Sequence, residues 1–401
     1  MSKVYVIAAK RTAIGKFLGT LSTVSAADMG AAVMKNIIAE TKINPAKIDE
    51  VIVGNILMAG QKQGIARQAA IKAGIPQEVP AYGINMICGS GMKSIINAYA
   101  SIKAGEANLI MAGGTESMST AGFVLPGTLR NGQKMMDFNA VDHMVSDGLT
   151  DAFQGYHMGI TAENIATKFG ITREAQDEFS YGSQVKAIAA IDGRRFKNEI
   201  VPIEIPSKKE TIIFDTDEFV NRGTSIEKLA GLRPAFKKDG TVTAGNASGI
   251  NDGASFLLLA SEQAVKEFGL TPIAEIVATG QGGVDPAIMG MGPVPAIGNA
   301  LKKANMQLKD IEVLELNEAF AAQSLGVMHE LIENHKVTPE WFKDHCNLNG
   351  GAIALGHPIG ASGNRITVSL IHEMKRSGKK IGMASLCIGG GMGTAVIIKN
   401  M

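Results

Sequence analysis

The chain has 401 residues, 45% apolar and 19% charged, with 39 basic against 38 acidic side chains and a net charge of +1. That is the composition of a soluble globular protein of two or three domains, and its balanced charge gives no electrostatic reason to expect nucleic acid or an anionic membrane as partner. Three cysteines, Cys88, Cys346 and Cys387, are too few and too scattered for a disulfide framework, so a reducing compartment, the cytoplasm by default, is expected.

From the N-terminus, the apolar run at 4–9 is too short for a signal peptide, and no later run approaches the ~18 residues of a membrane helix. Residues 51–56 and 109–112 read as buried strands. Between them Met92, Ile95, Ile96, Tyr99 and Ile102 fall on one helical face that ends at Gly105. The stretch 121–160 is Met-rich and loop-heavy, and 161–192 turns helical. Residues 312–316, 382–386 and 394–398 are strands again, and a helix after Ser362 aligns Ile366, Leu370 and Met374 before Gly378 stops it. Strands alternating with such helices predict an α/β protein.

The two ends of the chain resemble each other. Lys47 to Asn55 parallels Lys309 to Asn317; Gly89-Ser90-Gly91 and its helix parallel Ala361-Ser362-Gly363 and its helix; Met111 to Gly114 parallels Leu386 to Gly390. The order is kept, so a duplicated α/β unit is read, with chance similarity of α/β patterns as the alternative. Residues from about 120 to 249 have no counterpart and read as an insertion. Glycine, 47 residues or about 12% against a typical ~7%, clusters at 89–91, 113–114, 245–253, 282–293, 350–363 and 389–393. Clusters of this kind mark turns where backbone closely approaches a ligand.

Chemistry concentrates in the same clusters. Cys88 precedes Gly89-Ser90-Gly91 and a strong helix, so its sulfur is expected at a helix N-terminus, where unpaired N–H groups lower a thiol pKa. The alternative is a small buried hydrophobe; the flanking glycines favour a nucleophile. His357, in Gly356-His357-Pro358, lies in a turn suited to presenting its ring to a cleft, although a lone histidine is more often structural. Cys387 ends a strand and opens Gly389-Gly390-Gly391, whose N–H groups form an anion-binding nest if they converge. Asn317 and Glu318 end another strand, where open α/β sheets bind ligands. The cysteines show neither CxxC nor HxxxH spacing, so no metal is expected, and Cys346 reads as structural. Walker A, GxSxG and GxGxxG patterns are missing, which argues against nucleotide cofactors and serine hydrolysis.

Over essentially its whole length the chain resembles the thiolase family, its acetyl-CoA acetyltransferase (acetoacetyl-CoA thiolase) branch in particular. The motifs run from Ala9-Lys10-Arg11-Thr12 through Asn85 to Gly91, Gly113 to Ser119, Met158 to Asn164, Gly245 to Gly253, Asn317-Glu318-Ala319-Phe320-Ala321 and Gly356-His357-Pro358 to Cys387 to Gly393. The resemblance implies the thiolase fold, duplicated α/β halves in a five-layered α/β/α/β/α arrangement with an inserted loop domain. The N-terminal half would span 1–120, completed by about 250–272; the loop domain, for CoA binding and tetramerisation, 121–249; the C-terminal half 273–401. It implies the reaction 2 acetyl-CoA = acetoacetyl-CoA + CoA, with acetyl-CoA, acetoacetyl-CoA and CoA as substrates and products, no metal or organic cofactor, and a homotetramer.

By resemblance Cys88 is the acylated nucleophile, activated by His357, and Cys387 is the second acid/base. His357 with a water held by Asn317 would bind the enolate oxygen, and the N–H groups of Cys88 and Gly389 the tetrahedral oxyanion. Ser248 matches a position beside the pantetheine arm, and His157 and Leu149 match positions lining that tunnel. Met289, joined by Met158, would wall the acyl pocket; the alternative is that both only fill core gaps. The chain departs from close relatives near the adenine end, where Asn221 followed by Arg222 stands in place of a frequent arginine. A broad-chain degradative 3-ketoacyl-CoA thiolase is the alternative function.

Overall fold

The computed structural model describes residues 3–207 and 210–401, and eleven of its strands hydrogen-bond into one mixed sheet. Nine carry the architecture: β1 (Val4–Thr12), β2 (Glu50–Gly54), β3 (Ala81–Ile84), β4 (Leu109–Ser117), β5 (Asn251–Ser261), β6 (Ala274–Gly283), β7 (Val313–Leu316), β8 (Ile381–Ile388) and β9 (Met392–Asn400). Their spatial order is β7-β8-β9-β6-β1-β5-β4-β2-β3. From the centre outward, β1-β5-β4-β2 and β6-β9-β8-β7 repeat one arrangement: two antiparallel pairs followed by a parallel one. The register shift between Val6 and Ala8 in β1 recurs between Ile276 and Ala278 in β6. The duplication read from sequence is therefore present in topology and in the position of a bulge. The halves join where Tyr5 pairs with Glu275 and Val6 with Ala274.

Both faces of the sheet are covered, so its strands are apolar on both sides. All eleven residues of β5 are buried, with Phe256 and Leu258 packed into one core and Leu257 and Leu259 into another. The first core is covered by α1 (Ala26–Thr41) and α2 (Ile65–Lys72). The second, between the halves, is filled by α3 (Ser90–Ala104) and, from the C-terminal half, the helix Ser362–Ser377. A third core lies under α6 (Pro293–Ala304) and α7 (Ala321–His335). The result is five layers. The two central helices cross closely at their N-termini, where a Cβ on Gly91 would stand 2.9 Å from Gly360 O and one on Gly363 2.6 Å from the Met92 nitrogen. Each ends, as its pattern predicts, at a left-handed glycine: Gly105 (φ 81°) and Gly378 (φ 71°).

The inserted segment contributes α4 (Met158–Phe169), α5 (Arg173–Asp192) and a small hairpin pairing Phe123–Val124 with Val141–Asp142. It is tied to β1 by the buried Arg11, which donates to Glu199 Oε1 (2.6 Å) and, bidentately, to Asp217 Oδ1 and Oδ2 (2.7 and 2.9 Å). α8 (Pro339–His345) caps the C-terminal half, and the central helix Ser362–Ser377 is α9. Among the described residues no helix is long and apolar enough to cross a membrane.

Candidate active site

A cavity of about 920 Å³ opens between the halves and the insertion. Cys88, His357 and Cys387 line it together with Leu149, His157, Met158, Ser248 and Met289, so eight of the ten residues singled out from sequence converge on one space. Asn317 and Gly389 do not line it, although the Gly389 backbone N–H reaches the Cys88 sulfur.

Cys88 occupies a tight turn into α3. The preceding Ile87 is left-handed (φ 46°), a costly conformation for a β-branched side chain. Ser90 and Asn85 hold it there: Ser90 Oγ accepts from Met86 N (2.9 Å) and donates to Ile87 O (2.6 Å), and Asn85 Oδ1 accepts from Ile87 N (3.0 Å). Burial pushes the thiol up to about 11, and the Glu116 carboxylate adds to this, against the pull of the backbone N–H groups of Gly389 and Cys88 itself. The lowering expected from the helix N-terminus is thus corrected. A terminus supplies about 1 kcal/mol, under one pKa unit, whereas burial supplies several units. Cys387, at the end of β8, is raised as well, by burial first and by the neighbouring Cys88 second.

His357 is positioned by its turn. Gly356 has φ 107°, and a Cβ there would lie 2.5 Å from the Asn251 side chain, whose Oδ1 accepts the His357 backbone N–H at 2.8 Å. The ring Nδ1 lies 2.6 Å from Ser362 Oγ, and that hydroxyl donates to Pro358 O at 2.9 Å. With the serine's one proton so used, Nδ1 carries the imidazole hydrogen and Nε2 is left as an acceptor; the tautomer is assigned from this network. Burial, then the charge of Arg365, holds the ring down to about 3, so it is neutral at physiological pH. Asn317 follows β7 and is 1% exposed; neither of its side-chain amide atoms finds a partner among the described residues, which leaves both free for a polar group of a ligand or a water.

The wider cavity is apolar. The His157 ring stacks on Phe236 (centroids 4.6 Å apart, 17° between planes), and Phe236 meets Phe320 edge-on at 6.1 Å. Met158, Met289, Phe320 and Cys387 belong to one apolar cluster that closes the inner end. Ser248 is fixed by its N–H donating to Ala319 O at 2.9 Å. At the mouth Asn221 lines the wall, Arg222 instead pairs with Asp192 (2.6 Å), and the lining cations are Lys16 and Lys228. Among the described residues no group of three or more His, Cys, Asp or Glu could hold a metal ion.

Sequence reasoning did not single out Phe236, Glu116, Asn251 or Ser362. Ser362 and Asn251 lay inside glycine-rich motifs, and the rarity of aromatic residues, 5% of the chain, was the available signal for Phe236. Glu116 is a buried carboxylate, raised to about 7 by burial, that accepts from Asn55 Nδ2 (2.9 Å) and from the Ile56 and Leu57 N–H groups (3.0 and 3.2 Å).

A duplicated α/β fold with two thiols and a neutral imidazole at the inner end of an apolar cavity is an arrangement suited to nucleophilic cysteine chemistry. Residues 4–263 match the thiolase N-terminal domain and residues 270–400 the thiolase C-terminal domain. The chain is 52% identical to an acetyl-CoA acetyltransferase of Cupriavidus necator and 52% identical to a probable acetyl-CoA acyltransferase of Staphylococcus aureus, each alignment spanning 100% of both chains. Among solved structures, a Bacillus anthracis acetyl-CoA acetyltransferase superposes with a TM-score of 0.95 at 43% identity, covering 100% of this chain and 99% of the other. Human mitochondrial 3-ketoacyl-CoA thiolase in complex with CoA gives 0.93 at 44% identity, covering 100% and 98%. The chain belongs to the thiolase family.

Proposed function

We infer that the protein is an acyltransferase that interconverts two acetyl-CoA with acetoacetyl-CoA and CoA. Supporting it are full-length relatives named acetyl-CoA acetyltransferase and, above all, the meeting of Cys88, His357 and Cys387 at the end of a cavity closed by Met158 and Met289. The Cys88 sulfur attacks the acetyl-CoA carbonyl while its proton passes to His357 Nε2; the C–S bond to CoA breaks and the proton leaves with the CoA thiol. With the second acetyl-CoA bound, Cys387 passes its proton to His357 Nε2 and as thiolate takes an α-proton from that substrate, whose enolate oxygen accepts from the Nε2–H and from a water on Asn317. The enolate carbon bonds to the acetyl carbonyl, whose oxyanion the N–H groups of Cys88 and Gly389 receive, and collapse expels the Cys88 thiolate, reprotonated by His357. No metal takes part in this scheme.

The pantetheine arm would run past Ser248, Leu149 and the His157–Phe236 stack, with the insertion, 121–249, supplying most of this wall between the halves 1–120 (with 250–272) and 273–401. The same insertion carries an apolar hairpin tip, with Met135 and Met136 81% and 89% exposed beside exposed Phe123 and Phe138, which supports a homotetramer assembled through it. The scattered free thiols fit the cytoplasm.

Chain length tests the reading. If the two methionines wall the pocket, each added methylene meets filled space at ~1–3 kcal/mol, roughly 5- to 150-fold in kcat/KM. Thiolysis followed by the substrate's enolate absorbance is therefore expected to favour acetoacetyl-CoA over 3-ketohexanoyl-CoA, and Met289→Ala to narrow the gap. Equal kcat/KM for both in the unmodified enzyme would favour a broad-chain degradative thiolase.

A further inference from the structure

A second cavity, of about 530 Å³, lies between α5, α7 and α8, separate from the residues that line the first. Its volume is within the range of small-ligand sites. Its walls are apolar, with Phe179, Leu325, Met328 and Ile332 facing it. Its floor is polar but satisfied: the Glu318 carboxylate accepts from Ser183 Oγ (2.6 Å) and from Asn347 Nδ2 (2.9 Å). Two cations stand at its edge. Lys186 uses one N–H on Cys346 O (3.2 Å), and neither it nor Lys343 forms a salt bridge among the described residues. Glu178 and His329 also belong to the lining.

Gly182 adds an independent observation. It lies mid-way along α5, lines this cavity, and a Cβ built on it meets no atom within 4 Å. A glycine in a helix interior costs about 1 kcal/mol relative to alanine, and neither packing nor backbone conformation requires one here. The local rule is broken without a structural gain, and the effect is to keep the space open.

We propose that this cavity binds a small apolar monocarboxylate, its tail against Phe179, Leu325, Met328 and Ile332 and its carboxylate at Lys186 and Lys343. The site does not depend on the thiolase reading, and its readout is binding, not turnover. Trp341, the one tryptophan of the chain, lies on α8 with its ring 5.0 Å from that of Phe342, which lines the cavity, so its fluorescence reports occupancy. The full-length protein, held in saturating CoA to fill the first cavity, is titrated with octanoate. A saturable change in Trp341 emission is expected, with affinity about tenfold or more weaker in Gly182→Leu, where the new side chain occupies the space, and in Lys186→Met/Lys343→Met. Gly182→Leu gains helix propensity, so it is expected to melt no lower than the unmodified protein. No saturable change, unchanged affinity in Gly182→Leu, or octanol binding as tightly as octanoate would overturn the proposal.

Discussion

Cys88 and His357 share the inner end of the cavity, and burial sets both in their neutral forms, the thiol near 11 and the imidazole near 3. A resting thiolate–imidazolium pair is thereby disfavoured, and proton transfer waits for substrate. The imidazole also links stability to pH. An unfolded histidine takes up a proton below its ordinary value of 6.5, the folded ring only near 3, so the unfolded chain binds more protons between those values. The contribution of His357 is full above about 6.5 and falls as pH is lowered through that window, by ~1 kcal/mol at pH 5.5. In His357→Gln the loss of urea resistance between pH 7.5 and 5.5 is expected to shrink by about this amount; an unchanged loss would show that the ring titrates normally. At this scale the cysteines and the histidine that share the inner end of the cavity were legible, because these residue types stand out in glycine-rich turns. The direction of the Cys88 shift was not, because the helix N-terminus is a local pattern and burial is a tertiary one. Ser362, whose hydroxyl fixes the tautomer, was hidden for the same reason.

Among elements, the crossing of α3 and α9 sets the distance between the Cys88 turn and the His357 turn. Gly363→Ala places a Cβ 2.6 Å from the Met92 nitrogen and is expected to cost ~1–3 kcal/mol and lower the melting temperature by several degrees. Gly298→Ala, within α6, meets no atom within 4 Å and is expected to hold or raise it. Calorimetry that finds the two substitutions equivalent would contradict the close crossing. Both central helices were legible from one apolar stripe and a glycine stop. β1, β5 and β6 were not named as strands. β1 runs into Lys10 and Arg11, and the latter is buried only because Glu199 and Asp217 arrive from the insertion. β5 opens on Asn251 and Asp252, which read as a turn, yet Asp252 Oδ1 accepts from Ser119 N (2.9 Å) and Asn251 holds the His357 turn. β6 ends in Gly280, Gly282 and Gly283, a loop composition that pairing with β9 overrides.

For the molecule as a whole, duplication builds a two-sided cleft, and the insertion roofs it and projects an apolar hairpin. Internal similarity made the repeat legible, whereas β3, at the edge of the first half only, has no counterpart to reveal it. If the hairpin joins subunits, Met135→Glu/Met136→Glu is expected to shift the protein from tetramer to smaller species in sedimentation, with the fold unchanged by circular dichroism. Sedimentation identical to the unmodified protein would place assembly elsewhere.

The central claim is that an acyl group passes through Cys88 while Cys387 moves protons. Its most direct measurement is mass spectrometry of peptides from enzyme quenched after mixing with acetyl-CoA. The account predicts acetyl on the Cys88 peptide, lost again on adding CoA, retained in Cys387→Ala with condensation severely slowed, and missing throughout in Cys88→Ala. Acetyl on Cys387, or any acetylation of Cys88→Ala, would contradict it.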